Sequence, residues 1–174
     1  MIFATVGTQL PFDRMVAAID AWAGATPGAR VFAQIGPTGL RPRHIEYKPF
    51  VPPAECQELM HSADAIVAHA GMGTILRALE LGKPLLVVPR RAALGEHRND
   101  HQLATARRFA ELGRVAVAFD ESEIPARLEE LDRAAARERI GAYAPDGFIA
   151  ALRSFIDGPG QAAAPSAISR IPRP

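Results

Sequence analysis

The sequence predicts an α/β fold, a Rossmann-like parallel sheet with helices on both faces. Three observations carry the prediction. Short runs of continuous apolar residues recur along the chain, each followed by a longer stretch with apolar residues at 3.6-residue spacing. The short runs lack polar alternation, as expected of parallel strands buried on both faces. Glycine-containing turns join several runs to the helical pattern that follows, and right-handed crossovers then place helices over the sheet.

Taken in order, Ile2 to Val6 is the first strand, and Phe12, Met15, Val16, Ile19 and Trp22 mark the apolar face of the first helix. Val31 to Ile35 is the second strand, closed by Gly36-Pro37-Thr38-Gly39, and Ile45 to Val51 the third, where Pro49 limits ladder bonding. Pro52 and Pro53 open a short helix through Met60. Ala65 to His69 is a buried strand leading through Gly71 and Gly73 into a helix from Thr74 to Leu81, which Gly82 closes. Leu85 to Val88 is the next strand, and a polar loop, Arg90 to Arg98, leads to a helix from Asn99 to Leu112 that Gly113 stops. Val115 to Phe119 and a helix from Ser122 complete the alternation. Residues 1–157 are expected to form one domain. Residues 158–174 hold proline and alanine with no apolar period and are expected to be a flexible tail.

At 174 residues the chain has room for one such domain and not two. Its 48% hydrophobic and 22% charged content fits a packed globule and excludes a disordered chain or a coiled coil. Lys plus Arg number 20 against 19 Asp plus Glu, so the basic excess of a general nucleic-acid binder is absent. A single cysteine, Cys56, excludes an internal disulfide and thiolate zinc sites and fits a reducing compartment. The N-terminal run has no basic flank and stops at Gly7, unlike a secretory signal, and no stretch is long enough to span a bilayer. A cytoplasmic location is expected, with any membrane association peripheral or supplied by another protein.

Ligands of open parallel sheets sit beyond the carboxyl ends of the strands, which directs attention to the loops after Val6, Val51, Ala68 and Val88. VGTQ (Val6 to Gln9) and HAGMGTI (His69 to Ile75) are strand-to-helix turns whose glycines either make tight turns or let backbone approach an anion at a helix N-terminus. Neither is GxGxxG, since Leu76 stands where the third glycine belongs, and neither is a P-loop. The loop after Val88 concentrates Glu96, His97, Arg98, Asn99, Asp100, His101 and Gln102. His97 and His101, with His69, form a rival metal set that lacks the HExxH glutamate; in a plainer alternative, Asp100 or Asn99 caps the helix and the rest is solvated. Trp22, Phe12 and Cys56 read as ordinary core or surface residues, and no serine sits on a nucleophile elbow.

The segments YKPFV, ADAIVAHAGMGTILRALELGKPLLVVPR and EHRNDHQLATARRFAELG make residues 1–120 resemble the C-terminal, nucleotide-sugar-binding half of glycosyltransferase family 28, with VGT, HAGxGT, GKP, VPR and NDHQ in order. The resemblance implies the C-terminal domain of the two-domain GT-B architecture. It is nearest to short members that consist of this half alone, known from dolichol-linked and exopolysaccharide synthesis, in which a membrane-anchored partner subunit supplies the acceptor half. By that resemblance the chain is the donor-binding catalytic subunit of an inverting glycosyltransferase that takes a UDP-sugar, needs no metal or other cofactor, and acts on a lipid-linked acceptor. Nucleic acid is not an expected partner. The alternatives are a nucleotide-sugar-binding module without transfer, or an epimerase-like or metal-dependent enzyme.

Carried over by motif position, Gly7 and Thr8 lie near the diphosphate, and Phe50 and Val51 border the uracil. Gly71, Met72, Gly73 and Thr74 hold the diphosphate, while His101 and Gln102 face the sugar and form the catalytic pair. His69, His97 and Asn99 complete the expected donor-binding set. Relatives often place a ribose-gripping carboxylate three residues after the motif threonine; here that position is Arg77, with Glu80 one turn on as the expected substitute.

Overall fold

The computed structural model describes residues 1–132, 140 and 141. Their elements run β1 (Ile2–Thr5), α1 (Asp13–Ala25), β2 (Val31–Gln34), β3 (Glu46–Lys48), α2 (Pro53–Ser62), β4 (Ala65–His69), α3 (Met72–Leu81), β5 (Leu85–Val88), α4 (His101–Glu111), β6 (Ala116–Val117) and α5 (Ile124–Asp132). Six strands form one sheet in the order β3-β2-β1-β4-β5-β6, and every pairing is parallel. From β1 the chain winds outward to β3, then returns to lay β4 on the other side of β1. The direction of winding therefore reverses between β1 and β4, which opens a crevice at their carboxyl ends.

The strand period of two sorts the core into two layers. Ala4, Val31, Ala33, Val67, Leu86 and Val88 face a cluster with Met15, Val16 and Ile19 of α1 and Leu128 of α5. Phe3, Ile66, Ala68, Leu85 and Val87 face the other cluster, with Met60 of α2, Ile75, Ala78 and Leu79 of α3, and Ala106 of α4. Continuous apolar strands are thus covered on both faces, as their composition predicts.

The boundaries differ from the sequence reading at informative places. Expected from Ile45 to Val51, β3 pairs only over three residues, because it is an edge strand and Pro49 has no N–H to donate. The opposite edge, β6, shortens to two residues. Helix α3 starts at Met72, two residues earlier than expected, so the backbone of Met72 and Gly73 is already helical. Helix α4 starts two residues later than expected, because Asn99 and Asp100 turn their side chains to local backbone: Asn99 Oδ1 accepts from the His101 N–H at 3.3 Å and Asp100 Oδ1 from the Ala92 N–H at 2.8 Å. Between β5 and α4 the loop makes a 3₁₀ turn at Ala92–Leu94, ended by Gly95 at φ 69°. The expected boundary at residue 157 and the tail from 158 lie outside the described residues. Among the described residues, no helix is long and apolar enough to cross a membrane.

Ile75 holds α3 onto the sheet and is fully buried. Ile75→Ala is expected to lower unfolding stability by about 2–5 kcal/mol with an unchanged denaturant slope, as read from urea titration.

Candidate functional site

A cleft of about 380 Å³ opens at the carboxyl ends of β1, β4 and β5. The turn after β1 brings Gly7 and Thr8 to it, and the β4–α3 turn brings His69, Gly71, Gly73 and Thr74. His97, His101 and Gln102 reach it from the β5–α4 loop and the start of α4. No Asp or Glu lines it among the described residues.

The imidazole of His69 is wedged between two glycines. A Cβ on Gly7 would stand 2.6 Å from His69 Cε1, and one on Gly71 would collide with Nε2. Gly7 also has φ 78°, which disfavours any side chain. Burial, aided by the charge of Arg90, lowers the His69 pKa to about 4, so the ring is neutral at pH 7. Its Nδ1 and that of His97 are buried without a hydrogen-bond partner among the described residues. The His97 ring meets His101 edge-on, with centroids 4.5 Å apart.

Gly73 is glycine for another reason. A Cβ there would meet nothing within 4 Å, so the space in front of it belongs to the cleft. The N-cap of α3 is Gly71, which supplies no side-chain cap. The N–H groups of Met72, Gly73 and Thr74 therefore begin the helix without intrahelical acceptors, and with the helix dipole they favour an anion.

Four buried polar side chains occur among the described residues, Thr5, Gln34, Arg90 and Gln102, and each serves a cleft wall. Thr5 Oγ1 accepts from the Gly7 N–H at 3.2 Å, and Gln34 Nε2 donates to the Gly7 carbonyl at 2.8 Å. Arg90, only 3% exposed, donates to the carbonyls of Val6, Leu10 and Pro11 at 2.8, 2.7 and 2.6 Å. Its guanidinium also lies 4.6 Å from the centroid of the Phe12 ring. Gln102 Oε1 accepts from the Arg90 N–H at 3.2 Å. Glu96 braces the same loop, pairing with Arg14 at 2.9 and 3.0 Å and accepting from the Arg91 N–H at 2.9 Å.

Phe50, Val51, Met72, Glu80 and Asn99 do not line the cleft. Val51 is buried, Phe50 is 58% exposed, and Met72 points its side chain to solvent. Glu80 pairs with Arg77 at 3.1 Å, and Arg77 also meets His61 at 3.2 Å. Asn99 bonds His101 through both the backbone N–H and the ring Nδ1. His69, His97 and His101 do share the cleft, yet among the described residues no three His, Cys, Asp or Glu side chains are grouped to hold a metal ion. Sequence reasoning passed over Arg90, Gln9 and Leu10. The signal for Arg90 was the VPR tripeptide, a charge set immediately after a fully buried strand.

The model of the glycosyltransferase family 28 C-terminal domain matches residues 1–143. The human UDP-N-acetylglucosamine transferase subunit ALG13 is 30% identical over 129 residues, 66% of this chain and 10% of that protein. The crystal structure of the kitacinnamycin glycotransferase superposes with a TM-score of 0.58 at 22% identity, over 76% of this chain and 35% of its own. The solution structure of ALG13 superposes with a TM-score of 0.55 at 18% identity, over 90% of this chain and 96% of its own. The chain thus spans a small part of the human relative and about a third of the kitacinnamycin protein. The parallel sheet and its helices are those of a GT-B C-terminal domain.

Two predictions separate the roles of these residues. Gly71→Ala displaces His69 and is expected to lower the melting temperature, whereas Gly73→Asp leaves it unchanged and abolishes UDP binding by placing bulk and negative charge at the helix start. Differential scanning calorimetry and isothermal titration distinguish them, and unchanged UDP affinity in folded Gly73→Asp removes the α3 terminus from the site. For His69 the sign follows from its lowered pKa: the unfolded chain takes up a proton near 6.5, the native state only near 4. Stability is therefore expected to fall with pH through that window by up to about 3 kcal/mol, and His69→Gln flattens this slope in urea titrations.

Proposed function

We propose that this chain, which belongs to the glycosyltransferase family 28 C-terminal domain family, is the donor-binding catalytic subunit of a two-component inverting transferase that uses a UDP-sugar. Its acceptor is a lipid-linked sugar in polysaccharide or glycolipid synthesis. A membrane-anchored partner supplies the acceptor half and recruits the chain to the cytoplasmic face of the membrane. The observation that carries the reading is the uncapped N-terminus of α3 opening on a cleft lined by no carboxylate among the described residues. The name of the human relative, a UDP-N-acetylglucosamine transferase subunit, supports both the donor class and the division into subunits.

In this mechanism the difficult demand is stabilising the diphosphate as it leaves the anomeric carbon. The N–H groups of Met72, Gly73 and Thr74 and the α3 dipole meet it without rearranging, and buried Arg90 adds positive potential under the same floor. No bound metal is required for that step. His101, exposed at the cleft rim, is positioned toward the sugar, while Gln102 acts one step behind it by fixing the Arg90 backbone. His69, neutral at pH 7, donates a hydrogen bond to the diphosphate from its one N–H without adding charge. The general base comes from the acceptor half.

A second reading, a nucleotide-sugar-binding module without transfer, is favoured by one observation. Arg77 occupies the expected ribose-carboxylate position, and Glu80 is engaged with Arg77 away from the cleft. The decisive experiment compares the purified chain with the chain co-expressed with its membrane partner, using a panel of UDP-sugars. The chain alone is expected to bind UDP but transfer nothing measurable, and to gain activity with the partner. His101→Ala lowers turnover in the complex at unchanged UDP affinity. Binding without transfer in the complex supports the second reading, and efficient transfer by the chain alone overturns the two-component proposal.

A further inference from the structure

Beside the donor cleft lies a second cavity of about 490 Å³, bordered by Gln9, Leu10, His97 and Arg98. Gln9, Leu10 and His97 border both spaces, so the two adjoin. We propose that this second cavity is an oxyanion subsite in which Arg98 holds a phosphate group of the acceptor, separate from the diphosphate of the donor. The assignment rests on the transferase reading above and gives the donor-binding chain a direct part in recognising the acceptor.

The charges of the β5–α4 loop carry the argument. Arg90 is committed to backbone carbonyls, and Arg91 to the Phe119 carbonyl and the Asp120 carboxylate. Arg98 is exposed and has no hydrogen-bond or ion-pair partner among the described residues. The nearby carboxylates are turned elsewhere, Glu96 to Arg14 and the Arg91 N–H, Asp100 to the Ala92 N–H. The cavity is therefore bordered by an uncompensated guanidinium, an imidazole and a primary amide, and among the described residues by no acidic side chain. A cation is repelled there. A phosphate ester is met by the planar fork of Arg98, which suits bidentate pairing, and by the amide of Gln9. The donor diphosphate already has the α3 terminus, so a second anion reaching this adjoining space comes with the molecule that receives the sugar. Leu10, 38% exposed at the shared border, offers an apolar contact to what is attached to that phosphate.

The test titrates the UDP-saturated protein with hexyl phosphate and, separately, with inorganic phosphate, by calorimetry. Hexyl phosphate is expected to bind with UDP in place. Arg98→Gln is expected to weaken it about tenfold, the loss of one charge-assisted hydrogen-bonded contact, with UDP affinity unchanged. Unchanged hexyl phosphate affinity in Arg98→Gln overturns the proposal, as does displacement of UDP by hexyl phosphate. Tighter binding of inorganic phosphate than of the ester overturns the assignment to the acceptor. The same titration without UDP reads the cavity alone. A chain that fails to bind UDP therefore sinks the transferase reading, while Arg98-dependent binding of hexyl phosphate still supports the subsite.

Discussion

The geometry of the cleft depends on one buried cation. Arg90 has no side-chain hydrogen bond to a carboxylate, and its guanidinium is satisfied by carbonyls of the β1–α1 connection, from residues about 80 positions away in the chain. A buried charge without such a partner is expensive, and the carbonyls it satisfies would themselves be costly to strand. The cost is met because the same contacts hold two cleft walls at a fixed separation, with Phe12 beneath the guanidinium and Gln102 fixing the Arg90 backbone. Glu96 partly offsets the charge from one side while pairing with Arg14 of α1. What remains is a positive floor under a cleft that no carboxylate lines among the described residues, an arrangement suited to an anion.

The fold was legible in the sequence because its signals are local. A buried parallel strand is a continuous apolar run, and α1 and α3 show their apolar faces at helical spacing. Legibility declined where one side chain competes with the backbone, as with Asn99 and Asp100 ahead of α4, and at the sheet edges, where a single neighbouring strand supports pairing. The site was partly legible for the same reason. Glycine turns after buried strands drew attention to Gly7, Gly71 and Gly73, and the dense loop to His97, His101 and Gln102. Arg90 was legible only as the last residue of VPR, a charge directly after a buried strand; its role was not, since its carbonyl partners lie about 80 positions away in the chain.

The glycines show what a motif leaves undecided. In the sequence, Gly7, Gly71 and Gly73 admit the same two explanations, a tight turn or close approach to a ligand. In space they separate. Gly7 and Gly71 make room for the ring of His69, a contact within the protein, while Gly73 faces only open cleft. Two of the three are thus required by packing within the protein, and the third leaves its surroundings open. Their shared role is indirect: without Gly7 and Gly71 the imidazole could not sit buried, and so neutral, at the base of the cleft.

That neutrality bears on how such a site divides its work. Among the described residues, the ionisable side chains that line the cleft are three imidazoles and the Arg90 guanidinium, and the His69 imidazole is held uncharged by burial and by Arg90. A carboxylate placed there as a base would oppose the ligand that the α3 terminus attracts. Under the proposed transfer, the demands of leaving-group stabilisation and of proton abstraction are therefore in electrostatic conflict within one small cleft. Placing them on two halves resolves the conflict, because the base then approaches with the acceptor and meets the anomeric carbon from the side opposite the diphosphate. On that proposal the titratable groups lining the cleft among the described residues, three imidazoles and a guanidinium, serve the anion, and a base that arrives with the acceptor removes the proton from the incoming hydroxyl without opposing it.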